Sequence, residues 1–169
     1  GDTLMSQHRK LAFLLAFSGL TVAGSAFAAS GTVTFVTGDV SDATGFARAA
    51  EGCAAVLHSA ALVKSWVPDP AAFDTINVGG VKNALAAARA AAARLVYTSS
   101  FMAIGPTGTE PADEKRIHPG TYRNHYERTK AQADAVAREA AAAGQDVVLL
   151  YPGVVYGPGE LTDGNLVVQ

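Results

Sequence analysis

Cysteine is almost absent from the 169-residue sequence, and charged side chains are few. Cys53 is the single cysteine, which excludes an internal disulfide framework and a zinc site built on cysteine pairs. The 13 lysines and arginines against 15 acidic residues give a formal net charge of −2 without a basic stripe. The charge pattern therefore offers no electrostatic support for binding nucleic acid. With 49% hydrophobic and 17% charged residues, the composition favours a folded domain over a disordered chain.

Residues 1–30 differ in pattern from the rest of the chain. A basic stretch at 8–10 precedes an apolar run, Leu11 to Phe17, and Ala26-Phe27-Ala28 follows. This order is typical of a secretory signal peptide. The apolar run is too short and too closely followed by glycines to predict a membrane span. We interpret 1–30 as a signal-peptide-like or artefactual leader and 31–169 as the folded domain.

From residue 32 onward, short apolar runs alternate with longer helical patterns. Strands are predicted at Thr32–Thr37, Ala54–Leu57, Leu95–Thr98 and Val147–Tyr151, and helices at 43–51, 73–92 and 122–143. Apolar runs without polar alternation are typical of strands covered on both faces. Their alternation with helices predicts a doubly wound α/β domain with a parallel sheet of about four strands. Ligands of such sheets bind at the carboxyl ends of the strands.

Two side chains in the last predicted helix have the spacing of an acid/base pair. Tyr126 and Lys130 are four residues apart and so share one helix face. A nearby ammonium favours the phenolate and lowers the tyrosine pKa, which makes proton transfer to a substrate oxygen feasible. Ser99 and Ser100, at the end of the preceding strand, offer a hydroxyl to polarise a carbonyl. Taken alone, such a pair also occurs on ordinary solvated helices.

The order of several short motifs extends this interpretation. They are Thr37-Gly38-Asp39-Val40, His58-Ser59-Ala60-Ala61, Asn77-Val78-Gly79-Gly80, Val96-Tyr97-Thr98-Ser99-Ser100, Tyr126-Glu127-Arg128-Thr129-Lys130, and the segment from Tyr151 to Gly159. Together they resemble the extended short-chain dehydrogenases/reductases, also called the NAD-dependent epimerase/dehydratase family, and within it the dihydroflavonol-reductase-like members. The resemblance covers 31–169 and implies a partial Rossmann-like fold.

The resemblance implies a role for each matching position. Tyr126 would be the general acid/base, Lys130 would lower its pKa and bind the nicotinamide ribose, and Ser100 would polarise the carbonyl. Asp39 would accept a hydrogen bond from adenine, with Val40 packing on the ring. The remaining implied cofactor-binding residues are Ser59, Ala60, Ala61, Asn77, Thr98, Pro152, Gly153 and Val155. No metal site is implied.

The resemblance also implies partners and a location. The cofactor would be NAD or NADP, without a means of choosing between them, and the substrate a small carbonyl compound or a nucleotide sugar. Two chains could pair through the helices at 73–92 and 122–143. The enzyme would be cytoplasmic, unless the leader exports it. His58 is interpreted as a residue at the edge of the core, and His118 as a loop residue.

By the same resemblance, the sequence is expected to be an incomplete copy that lacks the amino-terminal glycine-rich unit and the carboxyl-terminal substrate segment. No Gly-x-x-Gly-x-x-Gly occurs in the 169 residues, although this turn binds the cofactor pyrophosphate at a helix N-terminus. Two hypotheses follow. Either the protein is an NAD(P)-dependent oxidoreductase of the epimerase/dehydratase type, or the chain is a truncated, non-catalytic remnant that does not bind dinucleotide. A third and weaker hypothesis is an exported binding protein.

Overall fold

A computed structural model describes residues 10–14 and 35–155. The chain order is β1 (Lys10–Leu14), α1 (Ala43–Ala50), β2 (Cys53–His58), α2 (Ala71–Phe73), a π-helical segment (Asp74–Gly79), α3 (Gly80–Ala90), β3 (Arg94–Thr98), a 3₁₀ helix (Phe101–Ile104), α4 (His125–Ala142) and β4 (Val147–Leu150). The helices and the last three strands lie within a few residues of their predicted bounds.

The four strands form one parallel sheet in the order β1-β2-β3-β4. His58 pairs with Tyr97, and Thr98 with Leu150, so the strands end at a common edge. The α/β fold with about four parallel strands, predicted from the sequence, is thereby confirmed. We refer to this edge as the carboxyl edge.

The first strand lies elsewhere than predicted. Residues 35–37 of the expected strand Thr32–Thr37 are not in a strand, and residues 32–34 lie outside the described part of the chain. The strand paired with β2 is instead Lys10–Leu14, inside the predicted leader. A run of β-branched residues favours a strand locally, but which segment pairs with β2 depends on tertiary contacts. The interpretation of 1–30 as a leader stays a prediction.

The core lies between β2, β3 and β4 and a layer made of α1, α3 and α4. Val56, Leu95 and Tyr97 point into it and meet Phe46 from α1 and Ala133 from α4. The alternate residues of β4, Val148 and Leu150, are 38% and 47% exposed on the opposite face. Small alanines along α3 and α4 let these helices approach the sheet closely.

Local signals explain where the helices begin and end. The Asp42 side chain accepts from the N–H groups of Thr44 and Gly45 and begins α1 as an N-cap. Gly52 and Gly144 follow the ends of α1 and α4 with φ of 71° and 88°, which glycine adopts without strain. No helix in the described segments combines the length and the apolar character that crossing a bilayer requires.

Candidate active site

Three elements bring Ser100, Tyr126 and Lys130 together at the carboxyl edge. Ser100 follows β3 in extended conformation and caps the 3₁₀ helix, its Oγ accepting from the Met102 N–H at 3.2 Å. Tyr126 and Lys130 lie one turn apart at the start of α4, which the Asn124 side chain caps. The side chain of Ser100 lies near enough to the Tyr126 hydroxyl to lower the pKa of that phenol by hydrogen bonding. The predicted Ser-Tyr-Lys set therefore occupies one place.

The Lys130 ammonium is turned towards β3. Its Nζ donates to the Thr98 carbonyl at 3.0 Å and lies 5.0 Å from the centroid of the Tyr97 ring. Burial lowers the pKa of Lys130 to about 8, although the nearby Asp134 acts in the opposite direction. The amine is thus protonated at neutral pH and loses its proton in mild alkali.

The ionisation of Tyr126 differs from the prediction. We expected Lys130 to lower its pKa, but burial raises it, and the lowering influence comes from the hydrogen bond with Ser100. The reason is geometric, because the Lys130 ammonium binds the Thr98 carbonyl. Tyr126 is accordingly a phenol at neutral pH and is ready to donate a proton.

Asn77 lies in the π-helical segment and is hydrogen-bonded both to the loop after β2 and to α4. Its Oδ1 accepts from the Leu62 N–H at 2.7 Å, and its Nδ2 donates to the Thr129 Oγ1 at 3.0 Å. Arg128 in α4 forms two bonds of 2.7 Å to the Asp74 carboxylate and, mainly through them, holds the pKa of Asp74 below its usual value. The Asn77 bonds join the loop after β2 to the turn of α4 that carries Tyr126 and Lys130, whereas the binding of a cofactor by Asn77 stays a prediction.

A second buried network fastens the ends of β3 and β4 to α4. Asp134 is 4% exposed and accepts from the Ser99 Oγ at 2.9 Å and from the Arg138 Nε at 2.5 Å. Arg138 also donates to the Tyr151 hydroxyl at 2.5 Å. The Phe101 N–H donates to the Pro152 carbonyl at 3.2 Å. The residues on both sides of Ser100 are therefore held in place, Ser99 by Asp134 in α4 and Phe101 by Pro152 after β4.

His58 lies at the end of β2, fully buried between Phe46 and Tyr97, and neither ring nitrogen has a hydrogen-bond partner among the described residues. Burial, helped by the charge of Lys130, lowers its pKa to about 4. The ring is therefore neutral in the fold, which agrees with its interpretation as a residue of the core edge.

This buried histidine makes stability depend on pH. Between pH 6.5 and about 4 the unfolded chain binds a proton at His58 that the folded chain does not, so the free energy of unfolding decreases as the pH falls through that window. The loss amounts to about 3 kcal/mol for a shift of this size. His58→Leu should remove most of this slope, as measured by urea unfolding at a series of pH values. An unchanged slope in the variant would assign the acid sensitivity to other groups.

Comparison with known proteins identifies the family and the fold. The sequence pattern of the "NAD dependent epimerase/dehydratase family" matches residues 12–168. The chain belongs to this family. A putative dihydroflavonol 4-reductase of Synechocystis is 38% identical over 114 residues, which are 66% of this chain and 33% of the relative. The chain spans about a third of the length of the curated relatives that it matches.

Solved structures of the epimerase/dehydratase type share the fold. UDP-glucose 4-epimerase from Brucella ovis, in complex with NAD, is 31% identical with a TM-score of 0.60, over 69% of this chain and 37% of that one. A dTDP-glucose 4,6-dehydratase from Streptomyces venezuelae, with NAD bound, is 29% identical with a TM-score of 0.59, over 68% and 36%. The Rossmann-like character predicted for the sheet is confirmed by these neighbours.

The cofactor-binding residues implied by the family resemblance divide into two groups. Ser59, Thr98, Pro152, Gly153 and Val155 follow or end β2, β3 and β4 at the carboxyl edge, and the Thr98 and Ser59 hydroxyls are 3.5 Å apart. Ala60 is buried and Ala61 is half-buried directly after Ser59. Their binding of a cofactor stays a prediction.

Asp39 and Val40 have different surroundings. Asp39 is exposed, and hydrogen bonds from the Ser41 backbone and hydroxyl to its Oδ1 lower its pKa. Val40, however, is 2% exposed, and its Cγ2 lies 3.2 Å from where a Cβ on Gly80 would be. Because Gly80 has no side chain, α3 closes over Val40. The packing of Val40 on an adenine ring stays a prediction.

Several structural residues around the candidate site were missed from the sequence. Glu127 is 0% exposed and Asp134 is 4% exposed, although both are on a helix rich in charge. His118, expected to be a plain loop residue, has a side chain only 4% exposed and is bonded to Glu127. The spacing Asn124-x-x-Glu127 could have indicated a helix start, since it resembles a capping box. Within residues 10–14 and 35–155 no metal-binding cluster of His, Cys, Asp or Glu occurs.

Proposed function

We propose that the protein is an NAD(P)-dependent oxidoreductase of the epimerase/dehydratase type, in which Tyr126 exchanges the proton. The observation that supports it most is that Ser100 and Lys130 both lie beside Tyr126, the first as the side chain that lowers the Tyr126 pKa and the second one turn along α4. A hydroxyl pair beside an ammonium is suited to an oxygen that changes between carbonyl and alcohol. It is less suited to attack on an ester or a phosphate, which needs a nucleophile with its own base.

The residues present fit the two ends of a dinucleotide. The Lys130 ammonium and the Thr98 and Ser59 hydroxyls would hold the nicotinamide ribose. Asp39 would accept a hydrogen bond from the adenine amino group through Oδ2, because both bonds from Ser41 use Oδ1. The bound cofactor supplies or accepts the hydride, as is general for this chemistry.

In the direction of reduction, the substrate carbonyl oxygen would lie between Ser100 and Tyr126. Ser100 donates a hydrogen bond to that oxygen as negative charge grows on it. The Tyr126 Oη then gives its proton to the oxygen while the hydride reaches the carbon, so that an alcohol and a phenolate result. The side chain of Ser100 eases this proton transfer, because it lowers the pKa of Tyr126 against the effect of burial, while the Lys130 ammonium would hold the nicotinamide ribose.

The rate of reduction should fall in mild alkali. Because the pKa of Lys130 is about 8, its ammonium is lost above that pH, and with it the positive charge that would hold the nicotinamide ribose. We expect kcat/KM for reduction to be level below pH 7 and about tenfold lower at pH 9, as one deprotonation predicts. In Lys130→Arg, which keeps its charge, this inflection should disappear. A profile in the native chain that stays level to pH 10 would contradict the role of Lys130.

Turnover of a carbonyl panel tests the proposal. The 169-residue chain is mixed with NADH or NADPH and with aromatic, steroid, aliphatic or nucleotide-sugar ketones, and nicotinamide absorbance is followed. Turnover that requires Tyr126 would support the oxidoreductase. Absence of turnover and of cofactor binding would favour the non-catalytic alternative, which the missing glycine-rich turn motivates.

The homodimer and the cytoplasmic location are also proposals. Lys82, Arg89 and Glu139 line an open groove between α3 and α4, together with small and apolar side chains. The mixed charges of this groove could pair with those of a second copy. Light scattering of the purified chain, with Ala86→Arg as the disrupting variant, would test the association, since Ala86 lines the groove and is exposed.

A further inference from the structure

Glu127 is the most completely enclosed acid of the described residues, and it directly follows Tyr126. Its Oε2 accepts from the Arg123 N–H at 2.7 Å and from Arg123 Nε at 3.1 Å. Its Oε1 accepts from Arg123 Nη2 at 3.3 Å and from His118 Nε2 at 3.2 Å. Burial raises the pKa of this carboxyl, but the bonds from Arg123 and His118 prevail and hold it at about 2. Glu127 is thus a carboxylate throughout the useful pH range.

The hydrogen bonds of His118 fix its tautomer. The Gly120 N–H donates to Nδ1 at 3.0 Å, so Nδ1 is an acceptor. Nε2 therefore carries the proton and donates it to Glu127. The ring lies against Tyr122, with centroids 4.6 Å apart, and its side chain is 4% exposed. A neutral histidine with both nitrogens satisfied thus joins the loop before α4 to the first turn of that helix.

The same loop is held on its other side by the 3₁₀ helix that Ser100 caps. A Cβ on Gly105, whose φ is 74°, would lie 2.8 Å from Pro119 Cδ and 2.9 Å from His118 Cδ2. Arg116 donates to the carbonyls of Ile104 and Pro106 at 3.3 and 2.7 Å. The loop from 105 to 124 therefore connects the element that carries Ser100 with the element that carries Tyr126.

We propose that Glu127 is a positioning residue, which holds the Tyr126 hydroxyl against Ser100 by binding His118 and Arg123. The carboxylate fixes the first turn of α4 to the loop, and the loop fixes it to the 3₁₀ helix. The catalytic meaning of this device rests on the proposed function. The contact between Tyr126 and Ser100 can nevertheless be measured without any turnover.

The test measures whether Ser100 still lowers the pKa of Tyr126 when Glu127 is changed. The chain is labelled with tyrosine carrying ¹³C at the ζ carbon, its pH titration is followed by NMR, and Tyr126 is assigned with Tyr126→Phe. In the native background, Ser100→Ala should shift the Tyr126 titration to higher pH, because the bond to Ser100 lowers that pKa. In the Glu127→Gln background, less than half of this shift should remain. Glu139→Gln, the same change at an exposed position of α4, should leave the shift intact.

Two further variants separate positioning from general stability. His118→Leu removes the link to the loop but keeps the bonds from Arg123, whereas His118→Gln can still donate to Glu127 and accept from Gly120. In His118→Leu we expect most of the Ser100→Ala shift to be lost, and in His118→Gln we expect it to be restored. Both variants should still melt cooperatively. A full Ser100→Ala shift in both Glu127→Gln and His118→Leu would overturn the proposal. If the shift behaves as expected and no ketone is turned over, the proposed function fails while the positioning stands.

Discussion

Tyr126→Phe should lower kcat for carbonyl reduction by about a thousandfold, within the range typical of losing a general acid. The phenyl ring keeps the packing of the half-buried side chain and removes only the proton that the oxygen receives. The affinity for NADH or NADPH should stay unchanged, because the adenine end and the ribose contacts of Lys130 are retained. Steady-state kinetics with the best ketone of the panel, alongside cofactor fluorescence, measure both quantities.

The control for this variant is Tyr122→Phe, which removes a hydroxyl from a more exposed ring in the loop before α4. Its kcat should remain close to that of the native chain. If Tyr126→Phe retained native turnover, the proton would come from another group and the assigned role of Tyr126 would be incorrect.

Asp134→Ala should lower the free energy of unfolding by about 3–5 kcal/mol, since it breaks a buried ionic network by removing one partner. Ser99 Oγ and Arg138 would lose their shared acceptor below the ends of β3 and β4. Urea unfolding measures the loss. Glu139→Ala, at an exposed position of the same helix, should change stability by less than about 0.5 kcal/mol.

Asp134→Ala should also change the ionisation of Lys130. Asp134 raises the pKa of Lys130 against the effect of burial. Its removal should therefore move the Lys130 titration to lower pH, which NMR of the labelled lysine would record. A loss of stability with an unchanged Lys130 titration would mean that Asp134 has only a structural role.

The sequence predicted what depends on local pattern and on short motifs. The helices predicted at 43–51 and 122–143 end within one residue of the predicted positions, close to Gly52 and Gly144, because a left-handed cap is a backbone requirement of a single residue. The family motifs placed Ser100, Tyr126 and Lys130 together because each motif lies at the end of a strand or the start of a helix. Both kinds of signal depend only on residues that are close together in the sequence.

The remaining features depend on contacts between distant residues. β1 pairs with β2, but the sequence of Lys10–Leu14 alone does not indicate this partner. Val40 became a core residue because Gly80, forty positions later, lets α3 approach. Asp134 finds Ser99 and Arg138 only after β3 and α4 have packed. Such partners are not visible in a single sequence, since charged helix residues are usually exposed.

The most direct test of the account is a titration of the 169-residue chain with NADH and with NADPH, followed by nicotinamide fluorescence. The account predicts saturable binding of at least one cofactor, and at least tenfold weaker binding in Lys130→Met, because the ammonium would hold the nicotinamide ribose. The exposed Lys115→Met serves as control and should bind as the native chain does. Absence of saturable binding by a chain that melts cooperatively would contradict the account and favour the non-catalytic remnant.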